Sequence, residues 1–148
     1  MTLSRRAAVT GLLSLPWILR MTPARATPET MQGALDAFTG GASVREGRVT
    51  LKIPLLVENG NSVPLSVSVE SPMTPEDHVE EIAIFNELNP LPDTARFHLT
   101  PRAGLAAVET RIRLNGSQTV HAVARMNDGS HWSTTTNVIV TAPACREV

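Results

Sequence analysis

The sequence predicts an all-β fold, an immunoglobulin-like antiparallel β-sandwich of about seven strands with a short N-terminal helix. Three observations predict it. Apolar residues recur at every second position through run after run of the chain. Turn dipeptides and prolines separate those runs at regular intervals. Only one segment, Glu29 to Phe38, carries a helical period instead.

The first 26 residues read as an address rather than as part of that fold. Ser4-Arg5-Arg6 precedes an apolar run from Ala7 to Leu19, and Ala24-Arg25-Ala26 follows it. A charged start, a short apolar core and an A-x-A end are the three parts of a signal peptide. The apolar run contains Pro16 and is too short to cross a hydrocarbon core of ~30 Å as a helix, so no membrane anchor is expected. The paired arginines indicate the twin-arginine export route. Ala8 stands where that consensus carries Phe or Leu, which leaves the general secretory route as the alternative.

Removing this leader changes the charge balance. It holds four of the 13 basic residues and no acid, so nine bases face 14 acids and the formal charge falls from −1 to −5. A mildly acidic domain without a basic block has no footprint for nucleic acid or an anionic membrane. The remaining length suits one domain with one core. There is no Tyr, and one of the two Trp lies in the leader, so the core must be built mainly from Val, Ile, Leu and Ala.

Met31, Leu35 and Phe38 are spaced four and three residues apart, and Gly40-Gly41 ends the pattern, which predicts the helix over 29–38. About ten residues are marginal alone, so this helix must dock on something. The strands follow in order. Val49, Leu51 and Ile53 alternate with Thr50 and Lys52; Val63, Leu65, Val67 and Val69 alternate with Pro64, Ser66, Ser68 and Glu70. Ile82 and Ile84 lie in an apolar stretch ending at Phe85, and Phe97 and Leu99 alternate with Arg96 and His98. Ile112 and Leu114 form the next run, then Val120, Ala122, Ala124 and Met126, then the segment Ser130 to Thr141. Period two with one apolar face is what a half-buried antiparallel strand requires. Asn59-Gly60, Asn115-Gly116 and Asp128-Gly129 are turn dipeptides, and the last two lie between runs that can pair as hairpins.

Chemistry-bearing residues are few. His78, His98, His121 and His131 are scattered, with neither helical pairing nor a Cys or carboxylate cluster, so they read as solvated or hairpin-end residues and no metal site is expected. Glu76-Asp77-His78 with Glu80-Glu81 reads as a solvated acidic loop leading into a strand. Trp132 reads as core, with a partner interface as the other option. No serine sits in a nucleophile elbow, and no strand precedes Gly40-Gly41 as a phosphate loop needs. Neither a cofactor nor catalysis by the chain itself is expected. Cys145 is the single cysteine, so nothing internal can pair with it.

Several stretches together resemble the SoxY family of thiosulfate oxidation. They are Glu58 to Pro64, Ser66 to Thr74, Asn89-Pro90 with Ala95 to Pro101, Thr110 to Leu114, and Val123 to Ser130. Their order and spacing carry the likeness, which covers nearly all of the chain after the leader. The resemblance implies a β-sandwich at residues 27–141 and a C-terminal arm at 142–148. It also implies a periplasmic location and a heterodimer with a SoxZ-like subunit. The arm's cysteine would carry sulfur intermediates among enzymes that load, oxidise and hydrolyse them. Cys145 stands at the family position as the covalent attachment point.

The arm departs from the family's Gly-Gly-Cys-Gly-Gly pattern. It reads Ala142-Pro143-Ala144-Cys145-Arg146-Glu147-Val148, with every flanking glycine gone. Glycines would give the arm flexibility and a narrow profile; Pro143 stiffens the approach, and Arg146 and Glu147 add bulk and charge. Arg146 favours a thiolate and can meet a sulfonate by charge-assisted hydrogen bonding, while Glu147 opposes both effects. They stand as candidate modulators. Two readings follow. Either Cys145 carries sulfur to partners with wider entrances, or the chain is a divergent paralogue that binds a partner without carrying cargo. A lone exposed thiol in an oxidising compartment is also expected to form disulfide-linked homodimers during handling.

Overall fold

The computed structural model describes residues 27–144. The leader, residues 1–26, and the candidate site residues Cys145, Arg146 and Glu147 lie outside the described residues.

Helix α1 (Pro28–Thr39) exceeds the predicted span by one residue at each end. Thr27 starts it by a reciprocal box: its Oγ1 accepts from the Thr30 amide at 3.3 Å, and the Thr30 Oγ1 accepts from the Thr27 amide at 3.0 Å. Pro28 opens the first turn, where its missing N–H costs nothing, and Gly40 closes the last at φ 63°.

Nine strands follow among the described residues: β1 (Val44–Glu46), β2 (Val49–Lys52), β3 (Leu56–Val57), β4 (Val63–Val69), β5 (Val79–Asn86), β6 (Asp93–His98), β7 (Ala107–Ile112), β8 (Gln118–Met126) and β9 (His131–Val140). The larger sheet runs β1-β9-β8-β5-β6 with β3 also paired to β9, and the smaller runs β2-β4-β7. All seven predicted strands are present, so the expected sandwich stands. The purely antiparallel expectation needs correcting at one edge, where β1 and β3 pair with β9 in parallel. These two strands have three and two residues, too few for a period to register.

The chain crosses from the larger sheet to the smaller between β1 and β2. It turns there at Gly47 (φ 111°) and Arg48 (φ 54°). Only the second is strained, because a side chain is disfavoured in the left-handed region. Tertiary contacts hold it. Arg48 Nε donates to the Glu70 carbonyl at 3.1 Å, and its guanidinium lies 3.5 Å from Asp77 and 5.5 Å from the Trp132 ring centroid. Trp132 is half-buried against the main core and donates from Nε1 to Ser130 Oγ at 3.2 Å.

The main core lies between the sheets, where Val63 and Val67 of β4 meet Ile82 and Ile84 of β5 and Val120, Ala122 and Ala124 of β8. A second apolar cluster forms on the outer face of the larger sheet, where Met31 and Phe38 of α1 cover Ala83, Phe85 and Val123. That docking supplies what a twelve-residue helix lacks alone. It also makes β5 a strand buried on both faces, which is why its apolar run does not alternate.

Two expectations are corrected beneath this helix. Glu81, read as part of a solvated run, is only 2% exposed. Its Oε2 lies 2.8 Å from Arg125 Nη2, and its Oε1 lies 3.6 Å from Arg96 and 3.7 Å from His98. Both guanidiniums also face the Phe38 ring, at 5.1 and 5.8 Å from its centroid. His131, read as solvated or at a hairpin end, does open β9 at the end of the β8–β9 hairpin, but it is 5% exposed with its ring edge-on to Phe38 at 5.7 Å, and neither ring nitrogen has a hydrogen-bond partner. The other three histidines are half-buried or exposed.

Candidate functional site

The sequence directs attention to the end of the sandwich where the described chain runs to Ala144. Strand β9 delivers the chain there, and its last amide, Val140 N–H, donates to Ser117 Oγ at 2.9 Å. Beyond the strand the backbone stays bonded to the body. Thr141 N–H donates to the Val57 carbonyl at 2.9 Å, extending the parallel pairing with β3. Gly60 N–H donates to the Ala142 carbonyl at 2.8 Å, and Ala144 N–H donates to the Leu114 carbonyl at 3.0 Å. Leu114 N–H in turn donates to the Gly60 carbonyl at 2.8 Å. Three segments distant in sequence thus close on one another, and Ala144 is 3% exposed inside the closure.

Each jaw of this arrangement is itself braced. Leu114 is fully buried in the main core, so its backbone is fixed by its side chain. Asn89 spans the turn after it, donating to the Arg113 carbonyl at 2.8 Å and accepting from the Asn115 amide at 3.4 Å. Gly60 is needed for close approach rather than for a positive φ. A Cβ there would collide with the Leu114 carbonyl oxygen and lie 2.8 Å from the Ala144 nitrogen. The sequence marked Asn59-Gly60 as a turn only; its second role depends on the neighbours that the fold supplies.

Cys145, Arg146 and Glu147 lie one to three residues past this closure, outside the described residues. Along the adjoining edge, Leu56 of β3 is in register with Ile139 of β9, and both are more than half exposed, as is Leu55. Leu55 also lines a cleft of about 1090 Å³ with Leu51, Ile53, Leu65 and the charged Lys52, Glu109 and Arg111.

Elsewhere, His121 lies 3.8 Å from Glu87, whose other oxygen accepts from the Thr119 amide at 3.1 Å. Burial holds the His121 pKa down, and Glu87 opposes it. Among the described residues no group of three or more His, Cys, Asp or Glu side chains gathers as a metal site. No helix among them is long and apolar enough to cross a membrane.

Known proteins similar to this chain include a sulfur carrier and superoxide reductases. The sulfur carrier protein SoxY from Chlorobium limicola f thiosulfatophilum superposes with a TM-score of 0.64 at 26% identity, covering 76% of this chain and 97% of that one. Superoxide reductases share the fold. A neelaredoxin variant from Ignicoccus hospitalis gives a TM-score of 0.57 at 18% identity, covering 77% of this chain and 92% of its own. A putative superoxide reductase from Thermotoga maritima gives 0.53 at 22% identity, covering 70% and 89%. A search of curated proteins returns no match. The family model for sulfur oxidation protein SoxY matches residues 35–145, a span that begins within α1, takes in all nine strands and the closure, and ends on Cys145. The chain belongs to the SoxY family.

Proposed function

We propose that this protein is a periplasmic sulfur carrier of thiosulfate oxidation. It would hold sulfur intermediates covalently on Cys145 within a heterodimer with a SoxZ-like subunit, and it would not be an enzyme itself. The observation that carries the proposal is the family match running to Cys145, the chain's single cysteine. A thiolate is the nucleophile that forms and exchanges S–S bonds, so one thiol suffices for the role. Loading by thiosulfate would join the Cys145 sulfur to the terminal sulfur of thiosulfate. The thiol proton goes to solvent, and two electrons go to a redox centre of the loading enzyme. Export through the leader at 1–26 would bring the chain to the compartment where that chemistry runs.

The apolar edge formed by Leu55, Leu56 and Ile139 is the surface we assign to the SoxZ-like subunit. It adjoins the closure, so a partner bound there would stand beside the departing tail. The test incubates the partner complex with thiosulfate and the loading enzyme and reads intact mass. A reductant-sensitive sulfur adduct, lost in Cys145→Ala, is the expected result. No adduct, or one that survives the substitution, would reject the carrier role.

A second reading is favoured by the glycine-free tail, Ala142-Pro143-Ala144 and Arg146-Glu147-Val148. In it the chain is a divergent paralogue that assembles with a partner and carries nothing. It predicts unchanged complex formation and unchanged pathway flux in Cys145→Ala.

A further inference from the structure

A carrier's cysteine is useful only within its reach, and reach is set by the last residue held to the body. Among the described residues the hold extends to Ala144. Its amide is bonded to Leu114, the carbonyl two residues earlier is bonded to Gly60, and its side chain is buried. From a fixed Ala144 Cα, one peptide unit and one side chain place the Cys145 sulfur within roughly 7 Å. Were the tail free from the end of β9 at Val140, five extended residues would span roughly 17 Å. The closure therefore removes more than half of the available radius.

We propose that Gly60 is a positioning residue for the tail: with Leu114 it clasps the chain up to Ala144, which limits how far Cys145 can travel from the end of the sandwich. This rests on the carrier reading given above. An enzyme acting on the bound sulfur must then dock against the surface carrying Gly60 and Leu114. A site deeper than the clasped radius is reached only when the Ala144–Leu114 bond opens. The residue requirement is strict at one position, because any side chain at 60 meets backbone atoms of both other segments, which cannot rotate away.

The lone thiol makes the test direct, since a nitroxide attached to the mature chain labels Cys145 alone. Its spectrum is read in the wild type, in Gly60→Ala and in Ala144→Pro. The alanine prises the jaws apart. The proline deletes the amide that bonds Leu114 and lies beyond the last strand, so it serves if the alanine impairs folding. Restricted motion in the wild type is expected, with the mobile-to-restricted ratio rising about fivefold when one net hydrogen bond is lost. A wild-type label as mobile as in either folded variant would overturn the clasp, as would restricted motion that Ala144→Pro leaves unchanged. Sulfur loading followed by mass on the unlabelled proteins separates the two ideas. A clasped wild type that takes up no sulfur defeats the carrier reading, whereas a loaded protein with a mobile label defeats the clasp.

Discussion

Removing Arg125 should destabilise this protein far more than neutralising its partner Glu81, although the two share one ion pair. Glu81 is 2% exposed, so its carboxylate cannot recover water if its partner is lost. In Arg125→Met the 2.8 Å contact goes, and Oε1, which already lacks a hydrogen bond, keeps only Arg96 at 3.6 Å and His98 at 3.7 Å. Stranding a buried charge costs about 3–5 kcal/mol, and the surviving Arg96 sets this case near the lower end, about 3 kcal/mol. Glu81→Gln keeps the shape and leaves two guanidiniums whose side chains are 35% and 40% exposed and can rehydrate. Its cost should be about 1 kcal/mol. The assay is thermal unfolding of the mature protein at pH 7, followed by fluorescence of Trp132. Melting temperatures should separate by roughly 8 °C at about 4 °C per kcal/mol for a domain of this size. Equal losses in the two variants, or a larger loss in Glu81→Gln, would refute the buried-charge argument. The double variant Arg125→Met with Glu81→Leu should regain most of the single variant's deficit, because both charges leave together.

Three further outcomes are expected. Phe38→Ala should cost about 3 kcal/mol by chemical denaturation, since Phe38 packs edge-on to Phe85 at 5.8 Å and anchors α1 to the sheet. His131→Phe should be more stable than the wild type by about 1 kcal/mol at pH 7, because both ring nitrogens are buried without partners and the ring already meets Phe38 edge-on. Burial first, and then Arg125, hold the His131 pKa below 6.5, so below that pH the unfolded chain takes up a proton that the folded one refuses. Stability from this group is therefore complete above pH 6.5 and lost as pH falls through the folded value; denaturation curves from pH 7 to 5 should be flatter in His131→Phe. Leu56→Asp with Ile139→Lys should weaken binding of the SoxZ-like subunit at least tenfold by titration calorimetry while leaving the melting temperature within about 2 °C, since both side chains are exposed and the new charges face each other with opposite sign.

Legibility in the sequence followed exposure. Strand β4 was plain because Pro64 and Ser68 face water while Val63, Leu65 and Val67 face the core, so one face writes the period. Strand β5 was visible only as an apolar stretch, since α1 covers the face that would otherwise be polar. That cover also hid Glu81 and His131. Their partners come from β6, β8 and α1, and no local pattern announces that a carboxylate will meet two guanidiniums from other strands. The candidate Cys145 rests on family spacing and lies outside the described residues. The hold on Ala144 was not legible, because it is made by backbone atoms of residues 60 and 114, whose side chains do not specify it.

The stretch from Val44 to Val57 pairs first with β9, then with β4, then with β9 again. One continuous segment is thereby laced through both layers along a single seam. Prising the layers apart there means breaking ladder bonds in each at once, whereas the opposite seam is bridged by the loop between β6 and β7. Mechanical or thermal opening should begin on that looser side. The laced seam, which carries the apolar edge and leads to the tail, should then be the last part of the protein to lose its shape.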